Sequence, residues 1–74
     1  ENQDVQSLLR YLDLLLLVRK DAAHERWQRA VLRARTGQPA GAARDLDWLI
    51  EHHPEGIDMG AVESLRRNLQ NQGY

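Results

Sequence analysis

Apolar residues recur at helical spacing along most of the chain, and glycine and proline divide the pattern into four segments. The breaks fall at Gly37 with Pro39 and Gly41, at Pro54 with Gly56, at Gly60 and at Gly73. In the first segment, about Asp4 to Lys20, one face carries Val5, Leu8, Leu9, Leu12, Leu15 and Leu16. Tyr11, Leu14 and Val18 form a second stripe on nearly the opposite side, leaving a narrow polar side of Gln6, Arg10 and Asp13. A helix that apolar is expected to be buried nearly all round.

The second segment, Ala23 to Thr36, has Trp27, Ala30, Val31 and Ala34 in its stripe and ends at Gly37, where a left-handed cap belongs. In the third, Pro39 or Ala40 to His52, Ala42, Leu46, Leu49 and Ile50 face inward. Pro39 suits a first helical turn, and Pro54 stops the run. Asp58 is a good N-cap for the fourth, whose apolar face is Val62, Leu65 and Leu69. The polar stretch Asn68 to Tyr74 is expected to fray. Helices are therefore predicted near 4–20, 23–36, 39–52 and 58–71, with no strand. The short link at Gly37 makes the second and third an antiparallel pair.

The chain also repeats itself. Arg10-Tyr11-Leu12-Asp13-Leu14-Leu15 matches Arg44-Asp45-Leu46-Asp47-Trp48-Leu49 at an offset of 34 residues (44 minus 10), with four of six positions identical. Leu8 falls on Ala42 and Leu16 on Ile50. That period is the length of the tetratricopeptide repeat. Ala23 to Pro54 resembles one whole such repeat, with Ala30 and Ala42 at its small positions, Leu46 and Leu49 at packing positions, and Gly37 and Pro54 closing its helices. Arg26 stands where the family has an aromatic residue, with Trp27 one place later, and Arg33 replaces a tyrosine.

The resemblance implies an all-α fold of antiparallel helix pairs, about one and a half repeats plus a C-terminal capping helix. In a single domain over 1–74, residues 1–20 are then the second helix of a partial repeat, 23–54 a full repeat and 58–72 the cap. More narrowly, Arg29 to Leu65 looks like the C-terminal tail of SirB-family transglutaminase-like proteins, through Asp45-Leu46, Pro54-Glu55-Gly56-Ile57-Asp58, Ala61-Val62 and Leu65. Ile57 replaces that pattern's second proline and Ala30 its glycine. That family's catalytic domain lies upstream of the tail and has no counterpart here.

Composition narrows the function. A hydrophobic fraction of 42% and a charged fraction of 28% fit an ordinary globular domain. A net charge of -1 disfavours a nucleic-acid partner. The run Leu14 to Val18 is too short to cross a membrane, and the N-terminus lacks the basic region of a signal peptide. The missing initiator Met suggests a piece of a longer protein. Zero cysteines exclude a thiolate nucleophile or metal site and suit the cytoplasm. His52 and His53 are adjacent, so they diverge by about 100° on a helix and chelate poorly. They read better as a helix end complementing the dipole. No metal or cofactor is expected.

Asp45 with Asp47, Ser7 and Ser64 form no catalytic arrangement, and Gly37 to Gly41 is no phosphate loop. The chain therefore reads as a non-enzymatic module for a protein or peptide partner, or as a regulatory or substrate-positioning tail of a larger enzyme. In the repeat frame His24, Trp27, Val31 and Arg35 face the concave groove, although Trp27 reads equally well as core. The side chains there do not make the basic clamp that chaperone-binding repeats use for a C-terminal carboxylate. Arg26, Arg29 and Arg33 share one face of the second segment. They read as partners of Asp13, Asp45 or Asp47 in preference to an anion site. Arg10 with Asp13 and Arg44 with Asp47 are spaced for pairs within a helix. Trp48 lies off the inward stripe and should pack on a neighbouring helix or a partner. The second stripe, Tyr11, Leu14 and Val18, is expected to drive homo-oligomerisation.

Overall fold

The computed structural model describes the backbone from Asn2 and the side chains from Asp4. It contains α1 (Asn2–Val18), α2 (Ala23–Arg35), α3 (Pro39–His52) and α4 (Met59–Asn71), and no strand among the described residues. Glu1, the first residue of the expected partial repeat, lies outside the described residues. Each helix packs on its neighbours in sequence, so α2 sits between α1 and α3, and α3 between α2 and α4. The molecule measures 28 × 27 × 16 Å.

The core gathers on the α2–α3–α4 side around Ala30, Ala42, Ala43, Leu46, Leu49, Val62 and Leu69. Ala30 and Ala42 are both 0% exposed. A methyl group at each lets neighbouring helices approach closely, and a larger side chain there would have to push them apart.

Local chemistry sets the helix ends. Gly37 takes φ +76, and the Gln38 N–H returns to the Arg33 carbonyl at 2.9 Å, closing α2 in a Schellman motif. His53 adopts the left-handed conformation, φ 46, with its N–H on the Leu49 carbonyl, and Pro54 then forbids continuation. The Asp58 carboxylate accepts the Ala61 N–H at 3.2 Å as the α4 cap. Gly41 and Gly60, read as breaks, instead lie inside the first turns of α3 and α4.

Three expectations need correction. The tail does not fray at Asn68: Leu69 is buried, and Gly73 at φ +104 lets the Tyr74 N–H reach the Leu69 carbonyl at 2.9 Å. The first helix ends at Val18, not Lys20, because the Ala22 N–H bonds the Arg19 carbonyl at 3.1 Å and turns buried Ala22 inward. Nor is α1 buried nearly all round. Leu9, Leu12 and Leu16 are buried, Val5 and Leu15 half-buried, and Leu8 exposed. The cause is that α1 packs mainly on α2, which leaves its other faces largely uncovered.

Candidate functional site

Two features stand out: a buried ion cluster that fixes α2, and an apolar groove beside it. The cluster centres on Asp45, whose side chain is 3% exposed. Arg29 donates to it in a fork, Nε to Oδ2 at 2.9 Å and Nη2 to Oδ1 at 2.7 Å. Arg33 adds a bond to Oδ2 at 3.3 Å, and Arg26 stands 3.6 Å from Oδ1. Asp13 of α1 accepts from Arg29 at 2.9 Å and from Arg33 at 3.3 Å. Residues of three helices are thus joined by one network. The geometry is that of paired structural charges, with both aspartates occupied as acceptors.

The hydrogen bond to Asp45 is the main reason that the Arg29 guanidinium titrates above the usual arginine range. Burial lowers that of Arg26, opposed by Asp45 and helped by Arg29 and Arg33. The Arg26 plane lies 4.2 Å from the Trp48 ring centroid, and its buried Nε finds no acceptor among the described residues. Its Nη2 bonds the Lys20 carbonyl at 2.7 Å. Trp48 also stacks on His52 with centroids 4.0 Å apart, and it lines a shallow hollow with Arg44, Asp47, Ile50 and Glu51. Trp48 thus packs on a neighbouring helix.

The pairs expected within helices, Arg10 with Asp13 and Arg44 with Asp47, do not form. Asp13 turns to α2, and Asp47 turns to α4, where it accepts from Arg66 Nε at 2.7 Å. The two aspartates lie one repeat apart, and each binds an arginine of the following helix. Bonds across helices gain from the partial burial of their arginines, which a pair on one helix surface lacks.

The groove runs between α1 and α2. It is lined by Leu8, Trp27, Gln28, Val31 and Leu32 and encloses about 300 Å³. Of the four residues predicted for a concave groove, the structure brings Trp27 and Val31 together here. His24 instead lies against the α3–α4 link, where a Cβ on Gly56 would sit 3.3 Å from its Nε2. Arg35 lines a separate hollow with Val5, Gln6 and Thr36. The four share one α2 face, but from 24 to 35 that face runs about 16 Å, longer than the groove. Leu8, Gln28 and Leu32 complete the lining and were missed. Leu8 was placed in the core with its segment. Gln28 and Leu32 are the residues following Trp27 and Val31, and they repeat the four-residue spacing along the next row of α2.

Trp27 packs against the core and also lines the α1–α2 hollow. His52 is held by its own helix, Nδ1 at 2.8 Å from the Trp48 carbonyl, and His53 forms the α3 cap. Among the described residues no three His, Asp or Glu side chains converge as a metal site. No described helix is long and apolar enough to cross a membrane. Tyr11, Leu14 and Val18 are exposed at 60%, 65% and 83%.

A model of the tetratricopeptide repeat matches residues 1–67. Neither a curated protein nor a solved structure matches the chain.

Proposed function

We propose that this chain, which belongs to the tetratricopeptide repeat family, binds an apolar segment of another protein in the α1–α2 groove. On this reading it works in the cytoplasm and does no chemistry of its own. Tetratricopeptide repeats generally mediate protein–protein interaction. The observation that carries the choice of groove is Trp27, half-buried beside Val31 with part of its surface facing the hollow. A tryptophan so placed offers a large contact area that is already fixed by its packing, the kind of residue that dominates binding energy. Gln28 supplies polar atoms at the rim for orienting a backbone. Trp48 is a poorer anchor, since Arg26 and His52 already pack against its ring.

The test is photo-crosslinking from Gln28 in cells of the source, with Arg67 on α4 as the control position. The reading expects specific protein adducts from position 28 that vanish with Val31→Glu. Adducts equally abundant from position 67, or unaffected by Val31→Glu, would reject the groove.

A second reading is the regulatory or substrate-positioning tail of a transglutaminase-like, SirB-type protein. In its favour, Pro54 to Asp58 forms the link into the closing helix, with Asp58 as cap. Its test is the sequence encoded upstream: a transglutaminase-like domain there supports it, and further repeats reject it.

A further inference from the structure

The repeat offset of 34 residues turns α3 into an internal reference for α1. Ala42, Asp45 and Leu49 of α3 are 0%, 2% and 0% exposed. Asp45 in this row meets the arginines of α2. Their counterparts on α1 are Leu8, Tyr11 and Leu15; Leu8 is 44% and Tyr11 60% exposed, and Leu15 is half-buried. Val18, at 83%, extends the row and Leu14, at 65%, flanks it.

A helix resembling α2 does not suit that face. Its three arginines would meet Tyr11 where α3 offers Asp45, and Leu8 fills the space that Ala42 leaves for close approach. What the row does suit is its own kind. Leu8, Tyr11, Leu15 and Val18 follow alternating steps of three and four, the two-heptad seam of a coiled coil.

We infer that α1 pairs antiparallel with α1 of a second copy of this chain along that seam. With the twofold axis beside Asp13, Leu8 opposes Val18 of the other copy and Tyr11 opposes Leu15, so larger side chains meet smaller ones. Asp4 near the start of each helix comes close to Arg19 and Lys20 at the end of the other. A parallel pair would instead gather four basic side chains at one end and align the helix dipoles. The open strip formed by Leu8, Tyr11, Leu14 and Val18 is on the order of 500 Å² per chain, at the upper end for a monomer surface. Two strips together bury on the order of 1,000 Å², the threshold of a specific interface. Leu8 belongs to both the seam and the groove lining, whereas Tyr11, Leu14 and Val18 lie outside that lining, so substitutions at these three test the pairing without altering the groove.

Sedimentation equilibrium combined with cysteine crosslinking tests it, and the native sequence has no cysteine to interfere. The wild-type chain is expected to dimerise with a dissociation constant on the order of 10 μM, as suits an interface near the lower size limit. Tyr11→Glu with Leu14→Glu should weaken the dimer at least about tenfold while the monomer keeps its helical circular dichroism, since both sites face solvent. A mixture of Leu8→Cys and Val18→Cys chains should form the mixed disulfide in preference to either homodisulfide. A monomer at several hundred micromolar overturns the pairing, as does a dimer indifferent to the glutamates. Preferential Leu8→Cys homodisulfide would overturn the antiparallel arrangement.

Discussion

Removing the carboxylate of Asp45 should destabilise the fold more than any other single truncation of a charged side chain. Asp45→Ala deletes three hydrogen bonds, at 2.7, 2.9 and 3.3 Å, and a further contact with Arg26 at 3.6 Å. The arginine side chains left behind are only 13%, 14% and 18% exposed, with Asp13 as their remaining acid in the network. Stranding one member of a buried ion pair costs about 3–5 kcal/mol. The residual exposure and Asp13 reduce this to about 2–4 kcal/mol. A chain of this length has roughly 4–11 kcal/mol in total, so the variant should lose a large share of its stability. With a slope near 1 kcal/mol per molar urea, the midpoint should fall by about 2–4 M. Asp45→Leu combined with Arg29→Met should recover most of the loss, because the penalty lies in the unpaired charge. Urea melts followed by circular dichroism make the measurement. A midpoint for Asp45→Ala within about 0.3 M of the parent at equal slope would refute the reasoning.

Asp47→Ala removes another cross-helix aspartate but should cost less than about 1 kcal/mol in the same melts, since that carboxylate is 58% exposed. A loss equal to that of Asp45→Ala would mean that burial is not the controlling difference. Ala30→Leu and Ala42→Leu should each destabilise by about 1–3 kcal/mol through overpacking, and no loss in either would refute the close α2–α3 approach. Asp58→Ala should cost about 1 kcal/mol, read as thermal midpoint and partly restored by Asp58→Ser, which can still cap Ala61. An unchanged midpoint would show that α4 does not rely on that cap.

The last three helices were legible because their readings rested on local causes that the structure retains: Gly37 in a left-handed cap, Pro39 in a first turn, Pro54 just past the end of α3, Asp58 bonded to Ala61. Gly41 and Gly60 misled as breaks, since a glycine in a first helical turn costs only propensity. At Gly41 the absent side chain gives room to the Arg33 stem, 3.2 Å from where a Cβ would lie. No periodicity in the sequence encodes that contact. The arginine stripe was correctly read as ion pairs, but its partners were not all resolved. Arg10 and Arg44 are near Asp13 and Asp47 in sequence, yet the arginines of the following helix bind them. Arg26 and Arg33 depart from the aromatic residues of the family pattern, and both turn toward buried Asp45. That shared contact is visible only once α2 and α3 are packed. The repeat resemblance named Trp27 and Val31, which line the α1–α2 hollow, whereas Leu8 requires the orientation of α1.

The two tryptophans are built-in reporters for the central claim that the α1–α2 groove is the protein-binding site. Peptides selected by phage display on the wild-type chain provide the probe, and the ¹H–¹⁵N signals of the two indole N–H groups provide the readout. The account predicts that a selected apolar peptide shifts the Trp27 signal together with the amides of Gln28, Val31 and Leu32. The Trp48 signal, from a ring packed against Arg26 and His52, should stay in place. A peptide that moves Trp48 and the Arg44–Glu51 surface while leaving Trp27 unchanged would contradict the account.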